Sequence, residues 1–348
     1  AMSGGVDSSV TAALMVEEGF EVIGMTLQLY NHGEAINRKN SCCAGQDIHD
    51  ARRVADSLKI PHYVLDYESR FKEQVIKEFA ASYLAGETPI PCVRCNQTVK
   101  FHDLLGHAQS LGADALVTGH YVRRIVGFEG PELHRARDNN KDQSYFLFAT
   151  TPQQLDFLRF PLGDMEKSET RAHAERFDLP VANKPDSQDI CFVPDGSYAG
   201  IVEKLHPGAS EAGDIVDEIG KKIGSHDGII HYTVGQRRGL GIANSEPLYV
   251  IKIDPEKKQV VAGPRSSLLR KSLRIHNVNW LGNGKVPDQK LEVDVKLRST
   301  SDPVGARIIN FKDGKADIEL NEPQAGIAPG QACVFYQGER TLGGGWID

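Results

Sequence analysis

The pattern of hydrophobic and polar positions divides the chain near Pro207-Gly208. Before this point, stretches with apolar residues at helical spacing alternate with short apolar runs that predict strands. The predicted helices are 47–58, 70–84 and 101–111, and the predicted strands are 21–29, 61–66 and 115–118. Such alternation is typical of an α/β domain in which helices cover a parallel sheet. Ligands of these domains bind where the strands end, which here includes Gly119-His120.

After Pro207-Gly208 the helical periodicity stops, and short strand-like runs are separated by Gly and Pro turns. The predicted strands are 213–216, 222–223, 249–253, 259–262, 291–297, 306–311, 316–320 and 331–336. This pattern predicts small β domains of the barrel type. A weaker boundary lies near Lys271. We therefore expect an α/β domain over 1–208, a small central β-rich domain over 209–271 and a C-terminal β-barrel over 272–348. The Gly343-Gly344-Gly345-Trp346 stretch predicts a terminal turn.

Composition narrows the class of protein. The formal net charge of -7 in 348 residues argues against a protein that coats nucleic acid indiscriminately. A net negative charge is still compatible with a local basic surface that binds RNA phosphates. Five cations lie close together in sequence and could form such a surface: Arg123, Arg124, Arg135, Arg137 and Lys141. No apolar run of membrane length and no signal peptide is visible, so we expect a cytoplasmic protein without a membrane partner.

The stretch Ser3-Gly4-Gly5-Val6-Asp7-Ser8-Ser9 stands directly before a helix-compatible run. Glycine allows a tight turn and a close approach to a ligand, and the first amide groups of a helix favour negative charge. The stretch therefore predicts a phosphate cradle. It has neither the Gly-Lys-Ser/Thr ending of a Walker loop nor a GxGxxG pattern. The alternative is an ordinary turn in which Ser8 or Asp7 caps the helix. Such a loop is expected to follow a buried parallel strand, and that strand is either absent from this sequence or represented only by its end, Ala1-Met2.

Six cysteines in a large chain without a secretory signal favour metal binding or thiol chemistry over a disulfide framework. Cys92 and Cys95 form a CxxC pair with several readings: half of a zinc site completed by Cys42-Cys43, a redox pair, or two structural thiols. The spacing of Cys42-Cys43 fits zinc poorly. Arg94 and Lys100 are expected to lower the pKa of a neighbouring thiol and so create a nucleophile.

Two further motifs carry candidate chemistry. Cys191 follows a polar, turn-forming stretch from Lys184 to Ile190, which favours an exposed position over a core position. The 231–241 segment mixes glycines with Arg237 and Arg238, and a tight hairpin and a phosphate-binding loop are equally compatible with it.

Taken in order, these motifs closely resemble those of the bacterial-type tRNA-specific 2-thiouridylases, a family within the ATP-pyrophosphatase superfamily. The resemblance covers nearly the whole chain. It is carried by Ser3-Gly4-Gly5-Val6-Asp7-Ser8-Ser9, Pro91-Cys92-Val93-Arg94-Cys95-Asn96, Thr118-Gly119-His120-Tyr121, Lys141-Asp142-Gln143-Ser144-Tyr145-Phe146-Leu147, Asp186-Ser187-Gln188-Asp189-Ile190-Cys191-Phe192 and Tyr232-Thr233-Val234-Gly235-Gln236-Arg237-Arg238-Gly239-Leu240-Gly241.

The resemblance implies a reaction in which ATP, with Mg²⁺, adenylates the 2-oxygen of the wobble uridine in the tRNAs for Lys, Glu and Gln. A cysteine persulfide then supplies sulfur and AMP leaves. It also implies a persulfide-donating partner, either a sulfur carrier or a cysteine desulfurase.

The family's functional positions fall on defined residues of this chain, and no protein-bound metal is implied. Cys95 matches the nucleophile and Cys191 the persulfide carrier. Some members carry Asp at the position of Cys92. The ATP-binding positions match Ser3, Gly4, Gly5, Val6, Asp7, Ser8, Ser9, Leu27 and Gly119. The tRNA-binding positions match Ile90, Pro91, Cys92, His120, Lys141, Asp142, Gln143, Arg298, Ser299 and Gln331.

Three other classes of protein share some of these sequence features. An amide-forming ATP pyrophosphatase would share the opening loop but would need neither Cys95 nor Cys191. An enzyme that inserts sulfur at another tRNA position usually carries further CxxC pairs. A non-catalytic RNA-binding protein with a relic loop is disfavoured by the intact loop and both cysteine motifs.

Overall fold

The structure, a computed structural model, describes residues 1–30, 43–186, 190–193, 196–284 and 290–348. Cys42 and Ser187-Gln188-Asp189, which belong to the motifs above, lie outside these residues. The described chain forms two units. The first consists of residues 1–74, 93–192 and 339–341, and the second consists of residues 75–92, 193–338 and 342–348.

The first part of the chain alternates helices and strands, as the sequence predicts. Its elements are α1 (Val6–Glu17), β1 (Gly24–Gln28), α2 (Cys43–Leu58), β2 (His62–Asp66), α3 (Glu68–Phe71, π-helical Lys72–Ile76 and Lys77–Leu84), α4 (Pro91–Arg94, π-helical Cys95–Leu104 and Leu105–Ser110), β3 (Leu116–Val117), β4 (Val122–Gly127), β5 (Gly130–Arg135), α5 (Ser144–Leu147), α6 (Pro152–Phe157), β6 (Leu158–Arg159), α7 (Lys167–Arg176) and α8 (Tyr198–Leu205).

The parallel sheet of the first unit is built from two strand pairs. β1 pairs in parallel with β2, and β3 pairs in parallel with β6. Residues 1–2 join the pairs: the amide of Met2 donates to the carbonyl of Met25 in β1 at 2.7 Å, and the amino group of Ala1 donates to the carbonyl of Val117 in β3 at 2.8 Å. The opening loop therefore begins at the carboxyl edge of the sheet, where the strand order predicts a ligand site.

The core of the first unit lies where α1 meets α2 and α7. The buried side chains there are Val6, Val10, Ala13, Leu14, Ala51, Val54, Ala55, Ala174, Leu179 and Val181. Small residues dominate on the helix faces, so the helices approach closely. Each fully buried Val or Leu contributes about 1.5–3 kcal/mol. This packing fixes the start of α1 and the start of α7 relative to each other.

The predicted helix over 101–111 needs correction. The helix expected from Phe101 begins ten residues earlier, at Pro91, because proline fits the first turn of a helix, where its missing N–H costs nothing. Cys95 therefore lies on a helix. Arg123, Arg124 and Arg135 of the arginine cluster lie in the β4–β5 hairpin.

The second unit carries the β elements. They are β7 (Gly213–Val216), β8 (Lys222–His226), β9 (Tyr249–Asp254), β10 (Gln259–Gly263), β11 (Arg270–Trp280), β12 (Leu291–Lys296), β13 (Val304–Lys312), β14 (Lys315–Gln324), β15 (Ala332–Gln337) and β16 (Arg340–Ile347), with 3₁₀ turns at Ile229–His231 and Arg265–Leu268. β7 to β10 form a four-stranded sheet in the order β8-β7-β10-β9. The later strands follow the order β11-β14-β13-β12-β15-β16, and pairing of β11 with β16 closes a six-stranded barrel.

The terminal glycines belong to this barrel, so the predicted terminal turn is wrong. They lie in β16, which is almost entirely buried. Gly343 has φ +113°, and a Cβ there would come within 2.1 Å of the carbonyl oxygen of Asn279 in β11. Glycine is needed at this position because the two strands approach so closely where the barrel closes.

Candidate active site

The opening loop has a shape that only glycine allows. Gly4 has φ +76°, and a Cβ on it would lie 2.1 Å from the carbonyl oxygen of Asp47. Gly5 is the N-cap of α1, with φ -92° and ψ 168°. The chain therefore turns through the left-handed Gly4 and passes through the extended Gly5 before the first helical residue, Val6.

The hydroxyl groups of the loop hold the loop itself and do not cap the helix. Ser9 Oγ donates to the carbonyl of Gly5 at 2.8 Å, and Ser8 Oγ accepts from the amide of Ser3 at 3.1 Å. The N-cap residue of α1 is Gly5, which makes no side-chain cap hydrogen bond, and Asp7 and Ser8 lie within the first turn of the helix. The capping interpretation is therefore wrong, and the helix N-terminus keeps the character of an anion site.

Gly119 lies against this helix start. A Cβ on Gly119 would come within 2.8 Å of the carbonyl carbon of Asp7 and 2.9 Å of the amide of Ser8. The end of β3 and the first turn of α1 thus meet backbone to backbone. Leu27, a further predicted nucleotide contact, lies near the end of β1, half-buried.

Asp7 is the centre of a charged network that the sequence did not indicate. Lys167 Nζ lies 2.6 Å from Asp7 Oδ1 and 2.9 Å from Asp186 Oδ1. The Tyr121 hydroxyl lies 3.0 Å from Asp7 Oδ1 and 2.9 Å from Thr170 Oγ1. Burial, together with the charge of Asp7, raises the pKa of Tyr121, which remains a neutral phenol.

Asp186 gathers three cations. Its carboxylate contacts Lys141 Nζ at 2.8 Å and Arg171 at 2.8 Å in addition to Lys167. Burial acts to raise the pKa of this carboxyl group, but the hydrogen bonds and charges of Lys141 and Lys167 outweigh burial and hold the pKa at about 2. Asp186 is therefore fully ionised at neutral pH.

Lys184 holds the loop from its other side. Its ammonium donates to the carbonyl of Gly4 at 2.9 Å and pairs with Asp47 and Asp50, each at 2.7 Å. Burial acts to lower the pKa of Lys184, yet the two carboxylates outweigh burial and raise it. The left-handed turn at Gly4 is thus fixed by a cation that comes from far along the chain.

The cations and carboxylates around the loop balance. Lys141, Lys167, Arg171 and Lys184 stand against Asp7, Asp47, Asp50 and Asp186. Lys184 and Asp186 belong to the polar stretch that precedes Cys191. Lys167 belongs to no sequence motif. The local feature next to it is the capping box of Glu166, which predicts the start of α7 but not the contact of Lys167 with Asp7.

The predicted tRNA contacts of the first unit have different surroundings. Lys141 is 38% exposed at its side chain and reaches outward from Asp186. The carboxylate of Asp142 is enclosed, with 0% exposure, and accepts from Arg135, Ala136 and Ser144. It organises the turn that carries Lys141. Gln143 accepts from the amide of Tyr121 at 2.9 Å and so ties this turn to the loop after β3.

His120 packs edge-on between Phe101 and Phe160 and contacts Thr118 Oγ1 through Nδ1 at 2.8 Å. Burial, with the nearby charge of Lys100, lowers the pKa of its imidazole to about 3. The ring is neutral at physiological pH. It can therefore offer a hydrogen bond to a nucleotide, whereas it offers no charge to a phosphate.

Both predicted cysteines belong to the first unit but differ in exposure. Cys191 is exposed, as its polar surroundings predict, and the next residue, Phe192, is buried against Phe71 with a ring distance of 5.7 Å. Cys95 is buried on α4. The neighbouring Asn96 donates from Nδ2 to the carbonyl of Phe146 at 3.2 Å, which joins α4 to α5 beyond the Lys141 turn.

The remaining predicted tRNA contacts belong to the second unit. Ile90 and Pro91 are buried and Cys92 is exposed. Gln331 donates from Nε2 to the carbonyl of Thr88 at 2.9 Å, and the amide of Thr88 donates to the carbonyl of Pro329. Gln331 thus holds the chain just before Ile90. Arg298 lies close to Gly326 and donates to the carbonyl of Ala325, and Ser299 follows it, half-buried.

The arginine cluster is not the open basic surface that its sequence predicts. Arg123 pairs with Glu339, Arg124 with Asp156, Arg135 with Asp142, and Arg137 with Glu169. The acidic partners, of which Asp142 is local and Glu339 is 216 residues away from Arg123, offset most of the local positive charge.

The described part of the chain bears on the requirements of a metal site and of a membrane-spanning helix. No group of three or more His, Cys, Asp or Glu side chains among those residues is arranged to hold a metal ion. The proposed zinc pairing with Cys42-Cys43 cannot be placed, because Cys42 and the side chain of Cys43 lie outside the description. No helix in the described ranges is long and apolar enough to cross a bilayer.

The fold and the loop define a nucleotide-binding α/β domain of the HUP class. Accordingly, residues 1–195 match the family model described as the tRNA methyl transferase HUP domain. Residues 204–264 match its PRC-barrel domain, and residues 270–347 match the aminomethyltransferase beta-barrel domain.

Curated relatives match over the whole chain. The chain is 62% identical over 355 residues to the tRNA-specific 2-thiouridylase MnmA of Rhodospirillum centenum, covering 100% of this chain and 90% of that protein. The proteins of the same name from Hyphomonas neptunium and Orientia tsutsugamushi are 60% and 58% identical, with 100% of this chain and 89% and 94% of those proteins covered. The chain therefore belongs to the tRNA-specific 2-thiouridylase family, which confirms the resemblance seen in its motifs.

Proposed function

We propose that this chain is a tRNA-uridine 2-sulfurtransferase that converts ATP to AMP and diphosphate. It adenylates the 2-oxygen of the wobble uridine in the tRNAs for Lys, Glu and Gln, and it replaces that oxygen with sulfur from a cysteine persulfide. The observation that carries the proposal is the uncapped loop from Ser3 to Ser9, in a chain whose full-length relatives are named as thiouridylases. We further propose a cytoplasmic location and the functional domains 1–208, 209–271 and 272–348.

The nucleotide phosphates would bind at the start of α1. The amide groups of the first turn, Gly4-Gly5 and the hydroxyls of Ser3, Ser8 and Ser9 offer donors, and Gly119 and Leu27 border the strand ends. Lys167 supplies the cation that this loop, unlike a Walker loop, lacks in its own sequence. Its ammonium is already within 2.6 Å of Asp7.

Mg²⁺ would enter with the nucleotide. The charges around the loop balance before ATP binds, so the phosphates bring an excess of negative charge. Asp7 is the carboxylate at the loop, and one carboxylate with phosphate oxygens is an ordinary ligand set for Mg²⁺. Bound there, the ion would offset phosphate charge during adenylation.

Adenylation makes the 2-oxygen a good leaving group. Two thiol groups then supply the sulfur that replaces this oxygen. Cys191, which is exposed, suits acceptance of a persulfide sulfur from a carrier protein or a cysteine desulfurase. The Cys95 thiolate attacks the Cys191 sulfur of that persulfide. A Cys95–Cys191 disulfide forms, hydrosulfide is released, and its sulfur displaces AMP from the uridine. A thiol reductant restores the two cysteines.

The residues proposed to bind tRNA are Ile90, Pro91, Cys92, His120, Lys141, Asp142, Gln143, Arg298, Ser299 and Gln331. Their different surroundings imply different roles. Lys141 is suited to a phosphate and His120 to a neutral hydrogen bond. Asp142 and Gln331 act by holding the segments that carry Lys141 and Ile90.

The decisive experiment incubates the protein with ATP, Mg²⁺, sulfide and unmodified tRNA, and then digests the RNA for mass analysis of its nucleosides. We expect 2-thiouridine together with AMP. A parallel sample with cytidine at the wobble position should give neither product. A third sample contains S-adenosylmethionine in place of ATP and sulfide, because the matching family models carry the words methyl transferase. Formation of a methylated uridine there, or of ADP from ATP, would contradict the proposal.

A further inference from the structure

Asp186 stands where three positively charged side chains from separate elements converge. Lys167 and Arg171 come from α7, and Lys141 comes from the turn before α5. The Asp186 side chain is 23% exposed and that of Lys167 12%, so solvent screens these ion pairs less than pairs at an open surface.

The cations around Asp186 face different substrates of the proposed reaction. Lys167 is shared with Asp7 of the phosphate loop, at 2.6 Å from its Oδ1. Lys141 is the outward-reaching residue of the predicted tRNA-binding turn. One carboxylate is therefore bonded both to the cation of the ATP site and to a cation of the tRNA surface.

Asp186 is also the upstream anchor of the segment that carries the thiol. Cys191 follows it by five residues, a stretch that spans at most about 17 Å even when fully extended. Downstream, Phe192 is buried against Phe71 and fixes the other end. The exposed thiol of Cys191 thus lies between two anchored residues, and the upstream one, Asp186, is bonded to the substrate-facing lysines.

We propose that Asp186 is a positioning residue for sulfur transfer: its ion pairs with Lys141 and Lys167 tie the Cys191 segment to the ATP and tRNA sites. The proposal rests on the proposed function and deepens it. Asp186 touches neither substrate in this scheme, and it acts by limiting where the Cys191 thiol can be.

The charge of Asp186, and not only its shape, is what the proposal requires. Asp186→Asn keeps the size of the side chain and removes the negative charge that Lys141, Lys167 and Arg171 share. Lys167 keeps its contact with Asp7 in this variant, so the phosphate loop should still bind ATP and release AMP. The expected signature is uncoupling: less 2-thiouridine for each AMP formed. A merely structural ion pair would lower both products together.

The test compares Asp186→Asn with Asp214→Asn, a matched control that breaks another Asp–Lys contact, between Asp214 and Lys222 at 2.6 Å. We expect the ratio of 2-thiouridine to AMP to fall by about tenfold in Asp186→Asn, the equivalent of one charge-assisted hydrogen bond. The KM for ATP should stay within about twofold. Asp214→Asn should match the parent protein in both products.

Two additional variants test whether a lower ratio comes from the lost charge of Asp186 or from misfolding. Asp186→Glu retains the charge and should recover part of the lost ratio. Lys141→Met combined with Asp186→Asn should lose less than the product of the single losses, because the two side chains act through one contact. An unchanged ratio in Asp186→Asn, or equal losses of AMP and 2-thiouridine in a folded variant, would overturn the proposal. If the parent protein makes no 2-thiouridine, the proposed function itself fails, and the parent sample shows this separately.

Discussion

Lys184 Nζ lies 2.9 Å from the carbonyl oxygen of Gly4, although 180 residues separate the two in the chain. The same ammonium binds Asp47 and Asp50 of α2. Gly4 is the left-handed residue of the phosphate loop, and its Cα approaches the backbone of Asp47 directly. The loop is therefore shaped by packing against α2 and secured by a cation from outside its own sequence. Variants at these positions should affect nucleotide chemistry before they affect RNA binding.

Gly4→Ala should disrupt the loop. A Cβ would require φ +76° in an L-residue and would lie 2.1 Å from the carbonyl oxygen of Asp47. We expect a loss of more than about 2 kcal/mol in the free energy of unfolding, together with loss of AMP formation. Gly45→Ala is the control, because an added Cβ at that exposed helical position meets nothing within 4 Å. It should stabilise the protein by up to about 1 kcal/mol in urea unfolding. Equal stability of the two variants would contradict the close approach at Gly4.

Lys167→Met should abolish most adenylation. The substitution keeps an unbranched apolar stem and removes the ammonium that lies 2.6 Å from Asp7. We expect the rate of AMP formation to fall on the order of a hundredfold, as when one preorganised donor to a developing charge is removed. Lys222→Met, which breaks a contact with Asp214, is the control and should leave the rate unchanged. A Lys167→Met enzyme with the parent rate would show that Lys167 only neutralises Asp7.

Cys191→Ser and Cys95→Ser should each stop thiolation while ATP and tRNA still bind, because each removes one sulfur of the proposed transfer. The measurement is 2-thiouridine in digested tRNA, with filter binding for tRNA affinity. Cys333→Ala is the control: this thiol is fully buried in the barrel, where burial raises its pKa, so it is chemically inert. Its loss should cost about 1 kcal/mol of stability and no activity. Full thiolation by Cys191→Ser with a persulfide-donating protein would show that Cys191 is not the carrier.

Gln331→Ala should weaken tRNA use by loosening the segment before Ile90. The amide of Gln331 holds the carbonyl of Thr88, and its removal leaves a partly buried acceptor without this donor. We expect the KM for tRNA to rise several-fold while the KM for ATP stays constant. Gln324→Ala, at a half-buried position of the same barrel, should leave both values unchanged. A larger effect on ATP than on tRNA would contradict the assigned role.

His120 should make the protein less stable in acid. The folded-state pKa is about 3, against 6.5 for the free imidazole, because burial disfavours the charged ring. Between these values the unfolded chain binds the proton and the folded chain does not, so stability falls as pH decreases from about 6.5 towards 3. Urea unfolding as a function of pH should show a shallower slope for His120→Gln than for the parent. Identical slopes would show that the ring is solvated and titrates normally.

Much of this protein follows from local sequence. The Ser3–Ser9 loop could be predicted because its glycines and hydroxyls are contiguous and because a helix start has a fixed electrostatic character. The β region could be predicted because strand alternation and turn residues act over a few positions. The exposure of Cys191 followed from its polar neighbours.

Other features depended on contacts between distant parts of the chain. Lys167 meets Asp7 only because α7 packs against α1, and no local pattern encodes a contact across 160 residues. The sequence of β4 and β5 predicts a basic RNA-binding surface because its arginines are close together. In the structure, partners such as Glu339 offset their charge. The sequence around Gly343 predicts a turn. In the structure, Gly343 lies in a strand, and a glycine is needed there because the backbone of Asn279 approaches it closely where the barrel closes. Sequence determined which residues could bind phosphate or carry sulfur. Tertiary packing decided which charges surround them, because ion pairs depend on distance in space and not on distance along the chain.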